Sequence, residues 1–212
     1  MGALYPLPGF QGRFHHRIQP PAVSRSLQSV GNRLWQNSIA RESEYQFDFH
    51  LLRDEQAVNA FALPGGQVFI TAGLMSKLEN IDQLAGVLGH EIGHVIGRHG
   101  AERIAKMELT QGLTGAAVVA SGDYSTAQAA QMIGNVVNMK YGREDELESD
   151  EWGVRYMYEA GYNPEALIGV MHILDEATAG NRPPEFQSTH PSPENRVQRI
   201  NEAIEKYSSL GS

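Results

Sequence analysis

The feature that most constrains this chain is the sequence His90-Glu91-Ile92-Gly93-His94, an HExxH pattern. On a helix, residues four positions apart lie one above the other on the same face. His90 and His94 can therefore both direct an imidazole at one metal ion. Glu91 lies beside the first histidine, where its carboxylate can act on a water molecule at the metal instead of binding the metal. The pattern predicts a catalytic zinc site if the segment is helical.

The residues around this pattern predict the helix that it needs. Asn80 can cap the helix, with Gln83 three residues later as in a capping box. Apolar residues then recur at helical spacing, at Leu84, Val87, Leu88, Ile92, Val95 and Ile96. Three glycines interrupt the segment, at Gly86, Gly89 and Gly93. They either weaken the helix locally or allow another backbone to approach it closely, and both interpretations stay open.

A third metal ligand is expected later in the chain, because catalytic zinc sites commonly have three protein ligands and one open position. The candidate is Glu146, in the acidic segment Arg143 to Gly153. Asp150 lies four positions further on the same helix face, where it could hold a ligand histidine from behind. The alternative is a solvated helix start, since acidic residues favour the N-terminus of any helix.

These motifs together resemble a known family. HExxH followed by an ExxxD helix is similar to the CAAX prenyl protease and HtpX-like zinc metallopeptidases, which are gluzincins. Asn59 to Thr71 resembles the strand, turn and strand that precede the family's active-site helix, and Ser188 to Ile200 resembles its C-terminal His-Pro motif. The four motifs occur in the family's order. The most similar members are the soluble, BepA-type proteases of the cell envelope.

The predicted fold class is α+β, a mainly helical zincin-like metalloprotease domain with a small, largely antiparallel three-stranded sheet. Residues 23–212 would form this single domain, after an extended N-terminal arm at residues 1–22 that is rich in Pro, Gly and aromatic residues. Alternating apolar and polar residues predict three strands, at Tyr45 to Leu52, Val58 to Leu63 and Gln67 to Thr71, with a turn at Pro64-Gly65-Gly66.

Helices are predicted on both sides of the metal-binding helix, at Ser24 to Arg41, Leu74 to Leu78 and Arg143 to Ala160, and after Asn163-Pro164 and Ser192-Pro193. The segment Met107 to Met139 is dominated by Ala, Gly, Thr, Gln and Val. It is expected to form one or two helices near the site. Ordinary helix packing and a flap over the site are both open interpretations of this segment.

The family resemblance implies peptide hydrolysis at one zinc ion per chain, held by His90, His94 and Glu146. Glu91 would be the general base that takes a proton from water and delivers it to the leaving amine. His190 would also lie at the active site. It would either stabilise the oxyanion or occupy the fourth zinc position and keep the enzyme latent.

The substrate is expected to be an extended polypeptide that adds a strand to Gln67–Thr71, if this strand forms the edge of the sheet. The residues expected to bind substrate are Asn59, Gly65, Gly66, Val68 and Phe69. Recognition through the backbone predicts a preference for unfolded or misfolded proteins with weak side-chain specificity, as in protein quality control.

Arg196 and the remaining histidines have mainly structural interpretations. Arg196 would either orient a carboxylate or lie on a helix surface. His99 lies five positions after His94, off its helical face, and is expected to favour the helix C-terminus. His50 and His172 occur alone in a predicted strand and a predicted helix, so each is a weak metal signal.

Charge and composition disfavour several classes of partner. The formal net charge of −8 argues against nucleic acid and anionic membrane surfaces. There is no cysteine, so thiolate ligands and disulfides are excluded. No apolar run approaches the ~18 residues needed to span a bilayer, and no signal peptide is visible. The family resemblance implies a location in the cell envelope, in the periplasm, with a lipid anchor on a full-length form as an open alternative.

Two other functions stay open. A chaperone-like assembly factor would keep zinc as a structural or regulatory centre with little proteolysis, although such a site would not need Glu91. A non-peptidase zinc hydrolase would act on small esters or amides, and the family resemblance disfavours it.

Overall fold

The structure is a computed structural model that describes residues 21–114, 140–178, 185–191 and 195–210. Residues 1–20 of the predicted arm lie outside the described residues. So does most of the segment proposed as packing helices or a flap, residues 115–139. The first helix begins at Pro21, so the last two residues of the predicted arm are helical.

The described chain is mainly helical with one small sheet, which confirms the α+β fold class. The strands are β1 (Asp48–Leu52), β2 (Ala60–Leu63) and β3 (Gln67–Thr71), and a short 3-10 helix spans Ile39–Glu42. The helices are α1 (Pro21–Gln36), α2 (Ala72–Met75), α3 (Ile81–Ile96), α4 (His99–Thr114), α5 (Arg143–Glu159), α6 (Ala166–Thr178), α7 (Glu185–Thr189) and α8 (Arg196–Leu210). None of these helices is both long and apolar enough to span a membrane.

The sheet is mixed, not largely antiparallel as predicted. Its strand order is β1-β3-β2, in which β3 runs antiparallel to β2 and parallel to β1. The two-glycine turn between β2 and β3 explains the antiparallel pair, because Gly65 and Gly66 both adopt positive φ angles that other residues rarely adopt. The connection between β1 and β2 is longer than this turn, so β2 does not pair with β1. Strand β3 lies between them in the centre of the sheet.

Helix α3 forms the centre of the fold. Asn80 caps it as predicted, with its side chain accepting a hydrogen bond from the Gln83 backbone N–H at 2.9 Å. The Gln83 side chain accepts from Glu79 N–H instead of completing the box with Asn80. Nearly every residue of α3 is buried, because α1, α5, α6 and β2 all pack around it.

The glycines of α3 allow close backbone contact with α5, which decides between the two interpretations of these residues. A Cβ atom at Gly93 would lie 2.9 Å from Ser149 Cα, and one at Gly89 would lie 3.2 Å from Gly153 Cα. On the α5 side, a Cβ atom at Gly153 would lie 3.1 Å from the His90 backbone nitrogen. This glycine crossing brings the two helices together at the level of the HExxH residues.

Candidate metal centre

Four buried donor groups meet beside the glycine crossing. His90 and His94 come from α3, Glu146 comes from α5, and His190 directly follows α7. Each of the four side chains is at most 2% exposed. One ligand atom from each residue lies within 4.8 Å of all the others, so the group could hold one metal ion.

The distances within this group suit tetrahedral zinc. His90 Nε2 lies 3.0 Å from His94 Nε2 and 3.3 Å from His190 Nδ1. Glu146 Oε1 lies 3.4 Å from His94 Nε2 and 3.0 Å from His190 Nδ1. Donors bound at about 2.0–2.1 Å to a tetrahedral zinc ion are roughly 3.3 Å apart. Imidazole nitrogen with one carboxylate oxygen is also a common zinc donor set.

A buried ion pair between Asp150 and Arg196 contacts His90. Asp150 Oδ1 lies 2.8 Å from His90 Nδ1, and Arg196 donates to both carboxylate oxygens of Asp150, at 2.6 and 2.9 Å. Because a carboxylate only accepts, it holds the proton on His90 Nδ1 and leaves Nε2 facing the donor group. Of the two interpretations left open for Arg196, the structure therefore places it on a carboxylate instead of on the helix surface.

Burial and neighbouring charges shift the pKa values of His90 and Glu146 in opposite directions. Burial would lower the pKa of His90, but the hydrogen bonds and charges of Asp150 and Glu146 raise it to about 9. Burial would raise the pKa of Glu146, but the surrounding imidazoles lower it well below its usual range. His94 differs, because burial holds its pKa well below the usual value and keeps the ring neutral. The carboxylates thus favour positive charge at the centre of the group.

Glu91 lies beside the four donors without joining them. Both of its carboxylate oxygens are buried without a hydrogen-bond partner, and burial raises its pKa. Its Oε1 lies 3.7 Å from His190 Nε2, and this nitrogen also lacks a hydrogen-bond partner. Buried polar atoms are rarely left in this state outside functional sites. Glu91 can accept a hydrogen bond from a small polar molecule that enters the site, and His190 Nε2 can donate one to it.

The segment that carries His190 is held across the site by backbone hydrogen bonds. The Phe186 N–H donates to the Val58 carbonyl at 3.1 Å, and the Tyr141 N–H donates to the Thr189 carbonyl at 2.9 Å. The Phe186 ring stacks on the His190 ring, with centroids 4.3 Å apart. These contacts hold the short segment, α7 with His190, against the donor group.

Two residues at the site were not predicted. The Tyr141 ring stacks on the His94 ring, with centroids 3.9 Å apart. His99 Nδ1 lies 3.0 Å from His94 Nδ1, so His99 belongs to the site and not to the end of α3 as expected. For His99 the available signal was the spacing HExxHxxxxH. For Tyr141 no sequence signal was available.

The predicted substrate-binding residues are dispersed. Val68 and Phe69 lie on β3, whose two edges are both paired, so substrate cannot add to this strand as expected. Val68 is buried in the core, while Phe69 stacks on Phe61 and His50 on the other face. Asn59 is buried just before β2, and Gly65 and Gly66 form the turn. Among the described strands β2 pairs on one side only, with β3, and it also contacts α3.

Comparison with known proteins gives a consistent result. A family model for peptidase family M48 matches residues 21–204. The beta-barrel assembly-enhancing protease of Escherichia coli (strain K12) is 31% identical over 191 residues, which cover 85% of this chain and 38% of that protein. Mitochondrial metalloendopeptidase OMA1 of Schizosaccharomyces pombe is 32% identical over 166 residues, covering 78% and 49% respectively. The chain spans less than half the length of these relatives.

Proposed function

Because the chain belongs to peptidase family M48, we propose that it is a metalloendopeptidase that uses one zinc ion to hydrolyse peptide bonds. His90, His94 and Glu146 would hold the ion. The observation that carries this proposal is the buried donor group with tetrahedral spacing beside the partnerless carboxylate of Glu91. A purely structural metal site would gain nothing from a buried carboxylate that binds neither the metal nor any other group.

The residues of this chain would divide the reaction among them. A bound zinc ion would activate a water molecule and polarise the scissile carbonyl. Glu91 would take a proton from the water and return it to the leaving amine, and its raised pKa brings it closer to that of a neutral-pH base. Asp150 and Arg196 would fix the orientation of His90. Burial would exclude competing water and strengthen each electrostatic interaction.

For His190 we propose a blocking role in the described state. Its Nδ1 lies 3.0 Å from Glu146 and 3.3 Å from His90, inside the donor group, where it would complete the tetrahedron. A fourth protein ligand closes the position that a catalytic zinc site keeps open. Activity would then require this segment to move, which would break its backbone hydrogen bonds to Val58 and Tyr141.

The proposed substrate is an unfolded or misassembled polypeptide that adds to the unpaired side of β2. The segment carrying His190 is hydrogen-bonded to Val58, two residues before this strand begins. Its movement would therefore open the metal and the strand edge together. Backbone pairing would select extended chains with little regard to side chains. The names of the bacterial relatives, which mention beta-barrel assembly, support a role in protein quality control in the periplasm.

Metal dependence is the first test of this proposal. Zinc-loaded protein is expected to degrade an unfolded substrate such as casein, and chelation is expected to stop the degradation until zinc is restored. Electrophoresis of the digest gives the readout, with aggregation of a second unfolded protein measured in parallel. Suppressed aggregation with no cleavage, by the wild type and by zinc-loaded His190→Ala alike, would support the chaperone-like assembly factor. Cleavage of small esters or amides alone would support a non-peptidase hydrolase.

His190→Ala separates the blocking role from a catalytic one. If His190 closes the site and the open form is a minor state, its removal is expected to raise the rate of casein cleavage about 10- to 1000-fold. Phe186→Ala removes the stacked ring and keeps the imidazole, so it is also expected to raise the rate. A collapse of activity in His190→Ala, with zinc still bound, would show instead that His190 stabilises the oxyanion.

A further inference from the structure

The backbone conformation at the junction between α3 and α4 determines the position of the His99 side chain. Arg98 adopts a φ of 60°, the one positive φ outside glycine among the described residues, and α4 begins directly after it at His99. This turns the His99 ring back over the end of α3. A Cβ atom at Gly97 would lie 2.5 Å from His99 Nε2, so the ring occupies space that only glycine leaves open. Backbone in a sparsely populated conformation commonly supports a functional arrangement.

The His99 ring connects the proposed metal ligand His94 to the carboxylate of Glu148. His99 is 5% exposed, with Nδ1 at 3.0 Å from His94 Nδ1 and Nε2 at 3.3 Å from Glu148 Oε2. Ser149 Oγ also lies 3.3 Å from His99 Nδ1. Glu148 and Ser149 both belong to α5, the helix that supplies Glu146. The chain Glu148–His99–His94 thus reaches a different ligand from the one that Asp150 contacts, which is His90.

The hydrogen-bonding capacity of each group fixes where the protons are. The Glu148 carboxylate only accepts, so His99 Nε2 carries the proton and His99 Nδ1 is left with a lone pair. That lone pair can accept from His94 Nδ1–H, which at 3.0 Å is nearer than the Ser149 hydroxyl at 3.3 Å. His94, with its proton on Nδ1, then presents a bare Nε2 to Glu146 and His90.

We propose that His99 is a positioning residue that fixes the tautomer and ring orientation of His94, with Glu148 orienting His99. Asp150 does the same for His90 through a direct carboxylate contact. The two histidines of the HExxH pattern are thus oriented by different groups. His90 contacts the buried carboxylate of Asp150, and His94 contacts the imidazole of His99. This inference rests on the proposed zinc site, because a lone pair on His94 Nε2 is useful only if Nε2 binds a cation.

Zinc affinity of the full chain, measured by competition with a chelator, tests the proposal. His99→Leu is expected to weaken zinc binding about 10- to 100-fold. His99→Asn is expected to retain most of the affinity, because an amide oxygen can accept from His94 near the position of His99 Nδ1. His172→Leu, an exposed histidine on α6, is the matched control and should change nothing. Equal affinity of the Leu variant and wild type, or equal losses for Leu and Asn, would overturn the proposal.

A measurement on the unmodified chain keeps the test decisive if the variants fold poorly. Nitrogen-15 NMR of the imidazoles at neutral pH is expected to show His99 protonated on Nε2 only, and His94 protonated on Nδ1. A proton on His99 Nδ1 would contradict the proposed role. Failure of the wild type to bind zinc at all would instead reject the proposed function, so the two failures are distinguishable.

Discussion

Replacement of Glu91 by glutamine is expected to lower the rate of peptide hydrolysis by roughly 10²- to 10⁴-fold, the usual contribution of a general base. Glutamine has nearly the same shape as glutamate, but its amide cannot accept the proton that water must lose. The side chain is buried and its oxygens have no hydrogen-bond partner, so no hydrogen bond is lost with the charge. The effect should appear in kcat with little change in KM.

The zinc content of the variant is the control that distinguishes loss of the general base from loss of the metal. Glu91 is not among the four donors, so Glu91→Gln is expected to bind zinc as tightly as the wild type does. Glu144→Gln, an exposed change in the first turn of α5, should leave hydrolysis unaffected. Full activity in Glu91→Gln would exclude this residue as the base, and lost zinc would mean that the variant reports on metal binding.

The second large effect is expected on stability, from Arg196→Leu. Arg196 is 2% exposed and neutralises two buried carboxylates, Asp150 with bonds of 2.6 and 2.9 Å and Glu146 at 3.3 Å. Removal of one partner of a buried ion pair typically costs about 3–5 kcal/mol, because the other charge is left uncompensated. For a chain of this size that cost corresponds to a Tm lower by roughly 6–20 °C.

Thermal unfolding in the presence of a chelator separates this effect from metal binding. Arg199→Leu is the matched control, since Arg199 lies on the same helix in an exposed pair with Glu202. Such surface pairs contribute about 0–1 kcal/mol, so Tm should hardly change. Asp150→Asn combined with Arg196→Leu should recover part of the loss, since one of the two carboxylate charges that Arg196 faced is then gone. An unchanged Tm in Arg196→Leu would show that water or another group compensates these carboxylates.

The parts of the site predicted from the sequence are those with a fixed helical spacing. His90 and His94 share a face because they are four positions apart, and the same spacing relates Glu146 to Asp150. The facing of the two helices could not be derived from either segment alone. It depends on contacts between residues about 60 positions apart, such as His90 with Asp150. The order of motifs in a known family supplied that relation.

The incorrect predictions concern features that neighbouring residues do not determine. The alternation of residues located the strands, but the position of β3 in the middle depends on where the chain passes between β1 and β2. His99 was assigned to a helix end because its spacing places it off the face of His94. The positive φ of Arg98 breaks that helical geometry and returns the ring to the site. Conformation at a single residue therefore outweighed the periodicity.

The glycine crossing limits how this sequence can diverge. Gly89, Gly93 and Gly153 are not among the donor groups, yet a side chain at Gly93 would push α3 away from α5, and one at Gly89 or Gly153 would crowd the facing backbone. Because two donors lie on one helix and a third on the other, the same displacement would pull the ligand set apart. Substitution at these glycines is therefore expected to impair metal binding without touching a donor group, so the spacing of the ligands is set in part by residues that have no side chain at all.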